Sequence, residues 1–159
     1  IEYIEINPQV VSVAEEYFTY LDLCPDKTSI AIGDGRLVLE QLAAEQADPY
    51  DVIMVDAFTD DAIPTHLITI DAFREAYRPV LAEGGILAFH ISNRYLNLRP
   101  VLVGLAEEAG LEATLVDTRP DGTNELFQVT TWVLISDAET AAVLQTYPNT
   151  SQYEGETVF

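Results

Sequence analysis

Four consecutive apolar residues, Val52-Ile53-Met54-Val55, run directly into a carboxylate, Asp56. A strand with one wet face alternates apolar and polar residues, so an unbroken run predicts a strand covered on both faces. That is the habit of a parallel sheet flanked by helices. The segments around it agree. Ile1–Ile6 reads as a strand, and Asn7-Pro8 supplies an N-cap and a proline suited to the first helical turn. A helix follows in which Val10, Val11, Val13, Ala14, Tyr17, Phe18 and Leu21 share one broad apolar face. Thr28–Ile32 reads as a second strand, closed by Gly33-Asp34-Gly35. A helix over Arg36–Ala44 then turns Leu37, Val38, Leu39 and Leu42 inward.

Beyond the third strand, Tyr50–Phe58, periodicity places a helix at His66–Leu81, a strand at Ile86–Ser92 after Gly84-Gly85, and a helix at Leu98–Ala109. The last strands, Glu112–Thr118 and Leu126–Ser136, are joined by Arg119-Pro120-Asp121-Gly122-Thr123-Asn124-Glu125. That turn-rich link is too short for a helical crossover and predicts an antiparallel pair. A short helix near Ala138–Leu144 and a polar tail complete the chain. The order βαβαβαβα followed by a hairpin predicts a Rossmann-like, doubly wound, mostly parallel α/β sheet with one reversed strand near an edge. The 159 residues fit one domain, with no repeat or linker.

Sheets of this kind bind ligands beyond the carboxyl ends of their strands. The first three strands end in, or lead into, an acid: Glu5, Asp34 and Asp56. Glu5 is placed to accept hydrogen bonds from the vicinal hydroxyls of a ribose. Asp34, between two glycines, can approach a planar ligand and accept from an adenine amino group. Asp56, after a buried run, is expected at a pocket floor as a proton acceptor. Any one such acid serves equally well as the cap of the next helix.

Charge narrows the partners. A net charge of −20, with Lys27 the only lysine, excludes nucleic acid and anionic membranes and suits a cationic ligand as well as a merely solvated surface. The chain opens on a strand-like run rather than a leader pattern, and Cys24 stands alone, which together predict a cytoplasmic setting. His66 and His90 are not spaced as metal ligands, so no metal is expected; His66 reads as an N-cap or loop hydrogen-bonder. His90, Asn93 and Arg94 are candidates to line a cleft. Trp132 reads as a packing residue.

Taken together, Tyr3-Ile4-Glu5-Ile6-Asn7-Pro8-Gln9-Val10-Val11, Ala14-Glu15-Glu16-Tyr17-Phe18, Gly33-Asp34-Gly35-Arg36 and Tyr50-Asp51-Val52-Ile53-Met54-Val55-Asp56-Ala57 resemble the spermidine synthase family. These are polyamine aminopropyltransferases on the fold of S-adenosylmethionine-dependent methyltransferases. The stretches Asp56–Leu67 and Phe89–Leu96 look like a subgroup with some members fused to membrane segments. The resemblance implies that Glu5 holds the ribose and Asp34 the adenine amino group, with Gly35 permitting close approach. It implies that Asp56 is catalytic, helping to deprotonate an attacking amine that displaces methylthioadenosine from decarboxylated S-adenosylmethionine. The family follows its catalytic aspartate with Ser-Ser-Asp-Pro, whose second aspartate grips the diamine. Here Ala57-Phe58-Thr59-Asp60 and then Asp61 stand there, so Asp60 and Asp61, with His90, are the candidate substrate-binding residues.

The family's first strand and glycine-rich loop precede the segment that matches Ile1. That strand lies between those formed here by Ile1–Ile6 and Asp51–Asp56. The chain is therefore expected to be an N-terminally truncated fragment, inactive alone. Three arrangements would follow: residues upstream, a strand supplied by a second copy in a homo-oligomer or strand exchange, or a gapped sheet. The expected co-substrate is decarboxylated S-adenosylmethionine or S-adenosylmethionine, and the acceptor a small amine such as a polyamine. The alternatives are an S-adenosylmethionine-dependent methyltransferase and a non-catalytic nucleoside-binding module.

Overall fold

A computed structural model describes residues 1–23, 25–58, 63–92, 96–118 and 129–157. Cys24, the acids Asp60 and Asp61, Asn93 and Arg94, and the link Arg119–Glu125 lie outside the described residues.

The strand–helix alternation holds. Strand β1 (Glu2–Glu5) leads into α1 (Pro8–Tyr17), whose start is set as the sequence requires: the Gln9 amide donates to Asn7 Oδ1 at 3.0 Å and Pro8 stands at the first turn. Strand β2 (Ser29–Ile32) leads into α2 (Gly35–Ala44), and β3 (Tyr50–Val55) follows. The helix expected from His66 is broken into pieces. A 3₁₀ turn at Thr65–Leu67 precedes α3 (Ile70–Ala72), a π-helical segment Phe73–Tyr77 and α4 (Arg78–Val80). Pro79 contributes to that break, because proline lacks an amide hydrogen to continue an α-helical ladder. Strand β4 (Leu81–His90) starts earlier than expected and carries Gly84, at φ +72°, within it. Helix α5 (Arg99–Glu108), β5 (Glu112–Thr118), β6 (Thr130–Ser136), α6 (Ala138–Leu144) and a two-residue β7 (Thr150–Ser151) complete the chain. The tail read as polar contributes β7, whose Ser151 and Thr150 pair with Leu115 and Val116 of β5.

The strands form two sheets. β1 and β2 pair in parallel, with Glu5 opposite Ile32. The other five lie in the order β3-β4-β6-β5-β7. β3 and β4 are parallel, whereas β6 runs antiparallel to both β4 and β5. Two strands are therefore reversed where one near an edge was expected: β6, in the middle of the five, and the short β7 at the edge. Among the described residues no strand pairs β1 to β3, so a gap separates the two sheets. The gap is bridged at one end, where the Tyr50 hydroxyl, at the start of β3, donates to the Glu2 carboxylate at the start of β1. Burial, then the Glu2 carboxylate, pushes the Tyr50 phenol up to about 12.

The core centres on β4, β6 and α5. Leu87, Phe89, Val133, Ile135, Leu102 and Leu105 are all fully buried, and Tyr77 meets Phe89 edge-on with ring centroids 5.8 Å apart. Each such side chain contributes roughly 1.5–3 kcal/mol on leaving water. β4, with Leu87, Ala88 and Phe89 all buried, has the two covered faces expected of β3. β3 corrects that expectation. Ile53 and Val55 are buried, but Val52 is 51% and Met54 65% exposed, because no described element covers that face. Much of the expected inward face of α1 is likewise uncovered: Val10, Val13, Tyr17 and Phe18 are exposed, whereas Val11, Ala14 and Leu21 are half-buried. In α2 only Leu39 is buried, and Leu37 faces solvent.

Candidate functional site

The register of β1 and β2 brings two of the strand-end acids to one place. Glu5 pairs with Ile32, and the Gly33 amide donates to the Glu5 carbonyl at 3.0 Å, so the chain reaches Asp34 two residues beyond the Glu5 position. The Glu5 carboxylate accepts from the Asn7 amide through Oε1 at 2.8 Å, and Oε2 has no hydrogen-bond partner among the described residues. It can therefore accept from a ligand hydroxyl. Asp34 is occupied on both oxygens. Oδ1 caps α2 by accepting from the Arg36 and Leu37 amides at 3.0 and 3.2 Å, and Oδ2 accepts from His66 Nε2 at 3.0 Å. Partial burial alone would raise this carboxyl. The Leu37 amide, His66 and the Arg36 amide outweigh it and hold Asp34 below its ordinary value.

His66 is thus a partner of Asp34 rather than a helix cap. Arg36 helps hold it, donating to the His66 carbonyl at 3.4 Å while pairing with Glu40 at 2.6 Å and Glu75 at 2.9 Å. Between them, Asp34, Arg36, Leu37, Glu40, His66 and Glu75 line an open cleft of about 380 Å³. Gly35, the first residue of α2, has nothing within 4 Å of where a Cβ would stand, so the approach over it is clear. Gly33 is the glycine that packing demands, since its Cβ would meet Val38 Cγ2 at 2.8 Å.

Asp56 belongs to a second cluster. It follows β3 and is 53% exposed, at a rim rather than the expected floor, because the face of β3 beside it is uncovered. Asp56 Oδ1 lies 2.7 Å from His90 Nδ1, at the end of β4; parallel pairing of Val55 with Phe89 puts the two residues side by side. His90 Nε2 lies 2.8 Å from Ser92 Oγ, which accepts the Thr131 amide at 2.8 Å. The imidazole stacks on Trp132, with centroids 4.6 Å apart and planes at 15°, and Phe58 meets it edge-on at 5.2 Å. Trp132 is therefore a platform for His90, in register with it across β4 and β6.

No described hydrogen bond joins the Glu5–Asp34 cluster to the Asp56–His90 cluster. Ser92, Phe58, Arg36 and Glu75 were not singled out in the sequence, and Trp132, read there as a packing residue, is the platform on which His90 stacks. His90-Ile91-Ser92 did carry a signal, since residues two apart on an extended chain project to one side. Trp132 carried none without the strand register. Among the described residues no three His, Cys, Asp or Glu side chains gather as metal ligands, and no helix is long and apolar enough to cross a membrane.

The acceptor groups suit a nucleoside and an amine: carboxylate oxygens of Glu5 and Asp56 that have no hydrogen-bond partner among the described residues, and an open approach over Gly35 beside the cleft. No family model matches the chain. It is 33% identical over 84 residues to a polyamine aminopropyltransferase of Vibrio vulnificus (strain CMCP6), which covers 53% of this chain and 27% of that protein. It is 28% identical over 111 residues to an eEF1A lysine and N-terminal methyltransferase of Mus musculus, covering 66% of this chain and 16% of that one. The chain thus spans less than a third of the curated relatives it matches. Its fold matches the crystal structure of spermidine synthase from Thermotoga maritima with a TM-score of 0.60 at 15% identity, over 86% of this chain and 45% of that one. In sequence over half its length and in fold over most of it, the chain is similar to the spermidine synthases, as its motifs indicate.

Proposed function

We propose that this chain supplies the nucleoside-facing and amine-facing acids of a spermidine-synthase-like transferase that moves an aminopropyl group from decarboxylated S-adenosylmethionine to a small amine, such as a polyamine. The co-substrate contributes a sulfonium-activated carbon and leaves as methylthioadenosine. In this reading Glu5 accepts from the ribose hydroxyls, and Asp34 accepts from the adenine amino group once His66 gives way. The amine nitrogen forms a bond to the carbon next to sulfur, the carbon–sulfur bond breaks with its electron pair going to sulfur, and the nitrogen's surplus proton passes to Asp56. Asp60, Asp61 and the acidic surface favour a cationic acceptor.

The observation that carries the reading is a carboxylate oxygen of Asp56, just after β3, with no hydrogen-bond partner among the described residues, in a chain one-third identical to an aminopropyltransferase over half its length. Catalytic competence is proposed for a protein in which the chain is completed, and nucleoside binding without turnover for the 159 residues alone. A methyltransferase is the second reading, favoured by the similarity to the mouse lysine and N-terminal methyltransferase.

Product analysis of the completed protein with each sulfonium compound and a diamine decides between them. Aminopropylated amine formed from the decarboxylated compound supports the first reading, whereas methylated product alone would sink it. Calorimetry of the chain with methylthioadenosine tests the nucleoside half separately; no binding, or binding unaffected by Glu5→Ala, overturns it.

A further inference from the structure

We propose that His90 is the positioning residue of Asp56: it holds Oδ1 so that Oδ2 faces the acceptor amine. The inference rests on the reading of Asp56 as the group that meets the amine. A carboxylate that is 53% exposed and follows the last residue of a strand has little packing to fix its rotamer. The 2.7 Å contact with His90 Nδ1 supplies what packing does not. His90 is itself held on three sides, by the Trp132 face, by the Phe58 edge and by Ser92.

The hydrogen-bond chain also determines where the proton sits. A carboxylate only accepts, so Nδ1 carries the hydrogen and, in the neutral ring, Nε2 is the acceptor. Ser92 then donates its O–H to Nε2, while its oxygen accepts from the Thr131 amide. The order runs Thr131 N–H to Ser92, Ser92 O–H to His90, His90 N–H to Asp56, with each donor matched to an acceptor. The anchor also survives proton transfer. When Oδ2 takes the amine proton, Oδ1 becomes the carbonyl oxygen of a carboxylic acid and still accepts from Nδ1.

Asp56, His90 and Ser92 share the connectivity of a hydrolytic triad. Here the backbone amide of Thr131 engages Ser92 Oγ, which makes the serine a strut for the imidazole rather than a nucleophile.

The first test needs no turnover: nitrogen-15 imidazole spectra of the chain at neutral pH. The Nδ1–H tautomer is expected for His90, with Ser92→Ala mixing in the other tautomer; a pure Nε2–H ring overturns the proposal. The second uses the product assay. His90→Phe is expected to lower kcat about 100-fold, the scale of a misplaced catalytic group, with the affinity for methylthioadenosine unchanged. His90→Asn, which keeps a side-chain N–H near the Nδ1 position, is expected to recover a measurable part. If His90→Phe leaves kcat intact while Asp56→Asn abolishes it, the positioning role falls and the role of Asp56 stands. If Asp56→Asn leaves turnover untouched, the underlying reading falls instead. Labelling of Ser92 by a fluorophosphonate would show a nucleophile and overturn the strut.

Discussion

His66 Nε2 stands 3.0 Å from Asp34 Oδ2 while the other oxygen of the same carboxylate caps α2. One acid thus serves a helix and a histidine at once, and a ligand that takes the Oδ2 lone pair engaged by His66 displaces the imidazole. His66 is 48% exposed and lies at the cleft, so displacement needs no unpacking of the core.

It follows that His66→Ala should tighten methylthioadenosine binding by about three- to tenfold, because roughly 1 kcal/mol of competing hydrogen bond is removed. Calorimetry of the two proteins at one pH measures it. A weaker complex in the variant would mean that His66 is a ligand contact and not a competitor.

Asp34 also makes a prediction about acid stability. Its folded-state carboxyl is held below the ordinary value of 3.8. A depressed carboxyl stabilises the fold above its unfolded value, and that stability is lost as pH falls through the folded value. Wild type should therefore lose its advantage over Asp34→Ala as pH drops below about 4. At neutral pH, Asp34→Ala should cost about 1 kcal/mol, the usual worth of an N-cap. Asp34→Asn keeps a capping oxygen and should cost less. Thermal melts across the acid range give both comparisons, and a gap between wild type and Asp34→Ala that persisted at the lowest pH would contradict the assignment.

The strand–helix order, the reversed strand and the placing of acids at strand ends were legible because they are local: periodicity, caps and turn residues decide them. Asn7-Pro8 and Asp34 cap α1 and α2 just where the sequence puts them. What failed was the inference from apolarity to burial. Val52, Met54, Val10 and Tyr17 have the composition of covered positions, yet cover is a property of neighbouring elements, and no described element supplies it. The pairing of His90 with Trp132 was illegible for a related reason. It depends on the register between β4 and β6, which are joined through a helix, another strand and a long link.

The link across the gap makes an alkaline prediction. Tyr50 is pushed from 10.0 up to about 12 by burial and by Glu2. A group whose folded value is raised stabilises the fold fully below the unfolded value, and the contribution is lost as pH rises through the folded value. The stability difference between wild type and Tyr50→Phe should be constant up to pH 10.0 and vanish by about 12. Phenolate absorbance should show two tyrosines of wild type titrating late, Tyr50 and the buried Tyr77, and Glu2→Gln should bring only Tyr50 back toward the ordinary value. An unchanged titration in Glu2→Gln would show that burial alone shifts Tyr50.

Gly33 and Gly35 flank the same aspartate and should answer the same substitution in opposite ways. A Cβ on Gly33 would stand 2.8 Å from Val38 Cγ2. Val38 is β-branched and lies in α2, where one rotamer dominates, so it cannot swing aside. Gly33→Ala should cost about 1–3 kcal/mol, the range for overpacking, and Val38→Ala in the same chain should recover part of it. Gly35 has no atom within 4 Å of its would-be Cβ and begins the helix. Gly35→Ala should leave stability unchanged or raise it by up to about 0.5 kcal/mol, because alanine gives up less backbone freedom than glycine. Binding discriminates further. If the nucleoside lies against Gly35, the added methyl meets it, and Gly35→Ala should weaken methylthioadenosine binding about tenfold, or roughly 1.4 kcal/mol, in a fully folded protein. Denaturant titration and calorimetry on the two variants separate the outcomes, and undiminished binding in Gly35→Ala would place the ligand elsewhere.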